Sequence, residues 1–169
     1  DEPWAPRPRD GTWVPVPPGP RADNPPVLGP AGTVHCSLRD LAAYARLHAV
    51  GARGRCPFLA ERIFRHLHAP WPGGTYACGW GVGRRTWAPG AVLVHTGSNT
   101  MNVARIALSP EDGTALMVVC NAGGAGEACG EAMRRLLEES GLCQVTVIDE
   151  PDFFLATGYQ PDPKPDQQG

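Results

Sequence analysis

An α+β fold, built as an antiparallel meander sheet with packed helices, is predicted by three observations. Apolar runs of strand length occupy residues 91–96, 103–109 and 114–121. The links between them are short, and Ser109-Pro110-Glu111-Asp112-Gly113 carries Pro and Gly where a tight turn wants them. Short links favour antiparallel neighbours over βαβ crossovers. Helical patterns flank the strand block on either side in sequence, which is the order of an α+β domain.

The chain has 169 residues, enough for one domain with a real core. It holds 21 Gly and 19 Pro, close to the level at which disorder competes with folding. These residues crowd both ends, and 42% hydrophobic content leaves the middle able to fold. Fifteen basic against 17 acidic residues, net charge −2, leave no basic patch for a nucleic-acid partner. The apolar runs are far shorter than the ~20 residues that cross a bilayer, so no membrane span is expected. The chain starts at Asp1 and shows no charged-then-apolar leader; a signal peptide, if there is one, lies upstream or has been removed.

Residues 1–29 read as an extended Pro-rich segment. Proline removes a donor and fixes φ, so no regular element is expected there, and Trp4 and Trp13 suggest that it lies against a surface. Leu28-Gly29-Pro30-Ala31-Gly32 reads as a tight loop. Ser37, with Asp40 three residues on, opens a helix in a near capping box. Leu38, Leu41, Ala42, Ala45 and Ala49 recur at helical spacing, and Gly51 is the expected stop. A second helix is expected from Pro57 through Phe58, Leu59, Ile63 and Leu67 to Pro70.

Residues 76–82 (Y-A-C-G-W-G-V) read as a short strand or bulged edge. After the three main strands, residues 126–140 form a last amphipathic helix. Cys129, Ala132, Met133, Leu136 and Leu137 face inward, and Gly141 caps the end. Residues 144–148 suit one more strand, and residues 149–169 read as a disordered tail. The domain is expected to occupy residues 30–148.

Six cysteines (36, 56, 78, 120, 129 and 143) form no C-x-x-C pair and match no zinc spacing. Cys36, Cys78 and Cys120 sit in apolar or element-forming segments, which reads as buried free thiols in a reducing, cytoplasmic compartment. A leader upstream would instead place the protein in the periplasm or outside the cell. His35, His48, His66 and His68 show no metal-ligand pattern, and the spacing of His66 and His68 puts them on different sides of a helix, at the surface. Neither a metal nor another cofactor is expected. Trp71, Trp80 and Trp87 read as packing, with a substrate platform as the alternative.

The order of motifs is the main functional signal. P-A-G-T-V-H-C-S-L-R-D-L is followed by Y-A-C-G-W-G-V and then by A-V-L-V-H-T-G-S-N-T-M-N. A-R-I-A-L-S-P-E-D-G and A-L-M-V-V-C-N-A-G-G precede the final helix. Over roughly residues 30–141 this series resembles the C-terminal half of the serine β-lactamase-related family. That family includes class C β-lactamases, penicillin-binding peptidases and related esterases.

The resemblance implies a serine hydrolase that works through an acyl-enzyme on an ester, amide or β-lactam. His95-Thr96-Gly97 would correspond to the family's third motif, with His in place of Lys, as in esterase-like and peptidase-like branches. Ser98 would supply a backbone N–H to the oxyanion hole, a donor typically worth ~3 kcal/mol of barrier. Thr96, Gly97, Asn99 and Asn121 would line the substrate site, and Gly97 would let a substrate lie along the strand edge. The bland reading of His95 is a hydrogen-bonded strand-end histidine. Ser98 and Asn99 are equally good turn residues, and the turn and oxyanion readings are compatible.

The family's nucleophile motif is missing. The four serines read S-L-R-D, S-N-T-M, S-P-E-D and S-G-L-C, so S-x-x-K does not occur. The only lysine is Lys164, and none of the three tyrosines begins Y-x-N. The expectation is therefore a C-terminal fragment whose partner is its own missing N-terminal half, in the same or a separate chain. Its substrate would be a small-molecule or peptide acyl compound. The alternative is a non-catalytic binding module or pseudoenzyme that keeps the pocket fold.

Overall fold

Asp10 and Gly11 both take positive φ, 48° and 76°, the backbone of a two-residue hairpin turn whose twist suits its flanking strands. A computed structural model describes residues 4–20 and 22–141 of the chain. Strands β1 (Pro6–Arg9) and β2 (Thr12–Pro15) pair antiparallel across this turn, which corrects the expectation that residues 1–29 hold no regular element. The register explains how the prolines are tolerated. Arg9↔Thr12 closes the turn, so Pro8↔Trp13 and Pro6↔Pro15 fall on the non-hydrogen-bonded pairs, where a missing N–H costs the ladder nothing. Farther on, a 3₁₀ turn (Pro26–Leu28) runs into one helical turn, α1 (Gly29–Gly32), in place of the expected tight loop.

Helix α2 (Leu38–Ala52) opens as the sequence predicts. The Ser37 side chain accepts from Asp40 N and the Asp40 carboxylate accepts from Ser37 N, a complete capping box. Its inward stripe is Leu41, Ala45, His48 and Ala49, while Leu38 stands exposed. Gly51 does not stop the helix. It is a buried point of close approach, where any Cβ would run into the Phe64 ring. Helix α3 (Glu61–His68) is shorter than expected, because it begins at Glu61, with Ala60 as N-cap, rather than at Pro57. Phe58 and Leu59 lie outside it and are exposed.

Strands β3 (Gly81–Arg84), β4 (Ala91–Ser98), β5 (Val103–Leu108) and β6 (Ala115–Cys120) form one sheet in the order β3-β4-β5-β6, antiparallel throughout. Of residues 76–82, read as a short strand or bulged edge, Gly81 and Val82 open β3 and Tyr76 bridges Gly81, while residues 77–80 form a tight turn between them. Ala77 N donates to Trp80 O at 2.7 Å and Gly79 takes φ 79°. The turn at Ser109–Gly113 is the tight one predicted, with Gly113 at φ 85° and its N–H on Ser109 O at 2.9 Å.

Alternation along the strands divides the core into two. Leu93, Ile106 and Leu108 face α2 and pack with Ala45, Ala49, Ala77 and Trp80. Val92, Val94 and Ala107 face the other way, against Trp87 and Met133 of helix α4 (Gly126–Glu139). The sheet thus carries a helix on each face, and burying each large aliphatic or aromatic side chain contributes about 1.5–3 kcal/mol. On α4, Cys129 and Met133 are buried as predicted, but Leu136 is largely exposed. Gly141 at φ 71° ends the helix, donating to Glu138 O. Among the described residues no helix is long and apolar enough to cross a membrane. The expected strand at 144–148, the tail at 149–169 and Lys164 lie outside the described residues.

Candidate functional site

Strand β3 stops short of the segment that carries the H-T-G-S sequence. Its register begins at Gly81↔Val94, so among the described residues no strand pairs with residues 95–98 on that side of β4. On the other side the same residues are fully laddered, from His95↔Ile106 to Ser98↔Val103. The outcome is a four-residue stretch of strand with one edge held rigidly and the other open, a geometry that accepts an extended peptide-like ligand.

His95 is exposed and its ring is held in place. Nδ1 lies 2.7 Å from Gly79 O, and because a carbonyl only accepts, Nδ1 carries the proton. In the neutral ring Nε2, on the far side from Gly79, is then an acceptor. The ring stands edge-on to Trp80 at 6.5 Å. Gly97 lies on the same face two residues on, with nothing within 4 Å of where a Cβ would be. Thr96 and Ser98 alternate to the α4 face, so the H-T-G-S residues divide between the two sides of the sheet.

Ser98 and Asn99 build the turn from β4 to β5. Ser98 Oγ donates to Asn102 O at 2.8 Å and accepts from Thr100 N at 3.0 Å. Asn99 Oδ1 accepts from Met101 N, Asn102 N and Asn102 Nδ2 at 3.1, 2.8 and 3.2 Å. The Asn99 side-chain oxygen is thus committed to the turn. Thr100 sits at φ 70°, a costly conformation for a β-branched residue. Met101 anchors the turn in the core at 1% exposure, and Arg7 of β1 donates to its Sδ at 3.3 Å. Asn121 follows β6 at the same end of the sheet, two strands from β4 and hence ~10 Å away by strand spacing. Among the described residues no hydrogen bond joins it to His95.

Behind His95 lies a group that the sequence reading missed. Nδ1 of His48, buried on α2, is 2.8 Å from Nε2 of His68 on α3. Trp80 packs against His48 at 5.2 Å and Tyr44 stands edge-on to it at 4.6 Å. His68 was expected at the surface; it is half-buried, because α3 folds back and lays Phe64 and His68 onto α2. Burial lowers the pKa of His48, and burial together with the neighbouring His48 pushes His68 down to about 4. Both are neutral near pH 7. Spacing held the signal for His48, which continues the stripe Leu41–Ala45–Ala49, but the polar residue was not assigned to the core.

Trp80 and Trp87 are buried in different halves of the core and Trp71 is exposed, so the three tryptophans do not form one cluster. Cys36 and Cys78 are exposed rather than buried, while Cys120 is half-buried and Cys129 is buried. Among the described residues no three His, Cys, Asp or Glu side chains are placed to hold a metal. No family model, curated protein or solved structure matches the chain.

Proposed function

We propose that this chain is the C-terminal part of a β-lactamase-like serine hydrolase, forming one wall of an acyl-transfer site. The observation that carries the reading is the open edge of β4 at residues 95–98, beside a histidine fixed by Gly79. The antiparallel sheet with helices on both faces is compatible with the C-terminal part of a β-lactamase/transpeptidase-like fold. A substrate ester, amide or β-lactam would lie along the open edge. The serine nucleophile comes from outside this sequence, since S-x-x-K is absent from it.

In this reading the Ser98 N–H and the nucleophile's own N–H stabilise the oxyanion as the carbonyl is attacked. Ser98 Oγ is occupied by Asn102 O and Thr100 N, which agrees with a main-chain role and not a nucleophilic one. His95 Nε2 accepts a hydrogen bond from the substrate, or donates one to its carboxylate when protonated. Thr96, Gly97 and Asn121 would complete the substrate wall, while Asn99 supports it through the turn. A second reading rests on the absent nucleophile: a binding module that takes an extended peptide on the same edge.

The test is fluorophosphonate labelling of the native source, followed by intact mass of every species carrying this sequence. A label on a longer chain, or on a copurifying partner, supports the hydrolase. If only an unlabelled species of these 169 residues is found, the binding module is the better account. The isolated chain is expected to turn over neither ester nor β-lactam substrates, and active-site-titratable hydrolysis by pure material would overturn that expectation.

A further inference from the structure

Two cysteines lie on the packed faces of β6 and α4, near where the strand passes into the helix. Leu116, Val118 and Cys120 form the row of β6 that faces α4, and Cys120 is its last member. Cys129 is the first buried residue of α4, one turn before Met133 on the sheet-facing stripe. A strand, a five-residue connection and a helix folded back over that strand set these two positions on facing surfaces, and Cys120 is among the neighbours that, after burial, raise the Cys129 thiol's pKa.

The connection between them reaches the candidate site. Gly123 lies directly against Thr100 O in the β4–β5 turn, so closely that a Cβ could not be placed there. The Trp13 ring of β2 lies 3.8 Å from where a Gly124 Cβ would be. Whatever braces residues 121–125 therefore braces the turn that holds Ser98 and Asn99.

We propose that Cys120 and Cys129 form a dithiol–disulfide couple, a redox-operated staple beneath the Ser98 turn. This goes beyond the proposed hydrolase function and does not depend on it. The oxidant is a small-molecule disulfide such as oxidised glutathione. Cys120, the more exposed of the two, loses its proton and attacks one sulfur of that disulfide; the S–S bond breaks and one glutathione thiolate leaves. Cys129, deprotonated in turn, attacks Cys120 Sγ and expels the second glutathione. Two protein thiols are oxidised by two electrons, and the oxidised glutathione is reduced to two thiols that take up the two protons. Burial holds Cys129 in its thiol form, and the nearby Arg105 guanidinium favours the thiolate needed in the second step.

The experiment is incubation of the purified chain with oxidised glutathione, alkylation of remaining thiols, and mass analysis of tryptic peptide 106–134. That peptide contains Cys120 and Cys129 and no other cysteine. The expected product has lost two hydrogens and carries no alkyl group, and it regains both alkylation sites after reduction. Cys129→Ser should leave a glutathione adduct on Cys120, and Cys120→Ser should leave Cys129 an alkylatable thiol. Hydrogen exchange in the oxidised wild type should slow across residues 98–102 and 121–125. The proposal is overturned if both cysteines remain alkylatable while exposed Cys36 and Cys78 become glutathionylated, or if Cys120 instead pairs with a different cysteine.

Discussion

His48 Nδ1 and His68 Nε2 lie 2.8 Å apart, and this contact ties α3 to α2 directly behind the aromatic wall of His95. One ring donates to the other, so the pair needs at least one neutral member. Their titratable neighbour is Tyr44, whose hydroxyl is kept protonated by burial.

Stability should fall on acidification. Both histidines are pushed below their ordinary 6.5, His68 to about 4. Between those values the unfolded chain binds more protons than the native one, so the contribution is complete above pH 6.5 and is lost as pH falls toward 4. Allowing for partial exposure, the loss from His68 is on the order of 1 kcal/mol. Urea unfolding from pH 7.5 to 4 should show it, and His68→Gln should flatten that slope. An unchanged slope in the variant would assign the acid sensitivity to other groups.

Gly51→Ala decides between two opposing effects. Helix propensity alone favours alanine by about 1 kcal/mol. The added methyl, however, meets the ring of Phe64, which is 1% exposed and has nowhere to go. Overpacking of this kind typically costs about 1–3 kcal/mol. A net loss of stability in denaturant unfolding is expected; a gain would mean that α3 slides freely along α2.

Asn99→Ala removes the acceptor of three hydrogen bonds inside the β4–β5 turn. A loss of about 1–3 kcal/mol follows, because two backbone N–H groups lose their partner. Faster hydrogen exchange at Met101 and Asn102 is the local signature. Unchanged exchange there would show that the turn does not depend on this side chain.

Thr100→Gly should stabilise the same turn. Threonine at φ 70° bears a left-handed penalty of about 1–2 kcal/mol, which glycine avoids. Glycine's greater freedom when unfolded returns part of that, leaving a gain of roughly 0.5–1 kcal/mol. A higher urea midpoint with an unchanged slope would confirm it, and a lower midpoint would show that the Thr100 methyl or hydroxyl is needed.

The strands and the first helix cap were legible because their signals are local. Alternation within residues 91–121 and the Ser37–Asp40 spacing need no distant contact to be read. The Asp10-Gly11 hairpin was equally local but was obscured by its prolines. Proline is excluded only from hydrogen-bonded positions, and the register places Pro6, Pro8 and Pro15 outside them. Phe58 and Leu59 look like a helix start by composition, yet the chain reaches helical geometry only after Ala60.

By itself the sequence determined the order of elements from α2 to α4, the antiparallel meander and the placing of His95-Thr96-Gly97-Ser98 at the end of one strand. Periodicity and turn chemistry are properties of neighbouring residues, so they survive without knowledge of the fold. The tertiary structure alone decided that β3 would leave residues 95–98 unpaired on one side by any described strand, that His68 would turn inward onto His48, and that Cys120 and Cys129 would lie on the packed faces of β6 and α4. Each depends on how far one element extends past another. Packing sets that distance, and no local pattern encodes it.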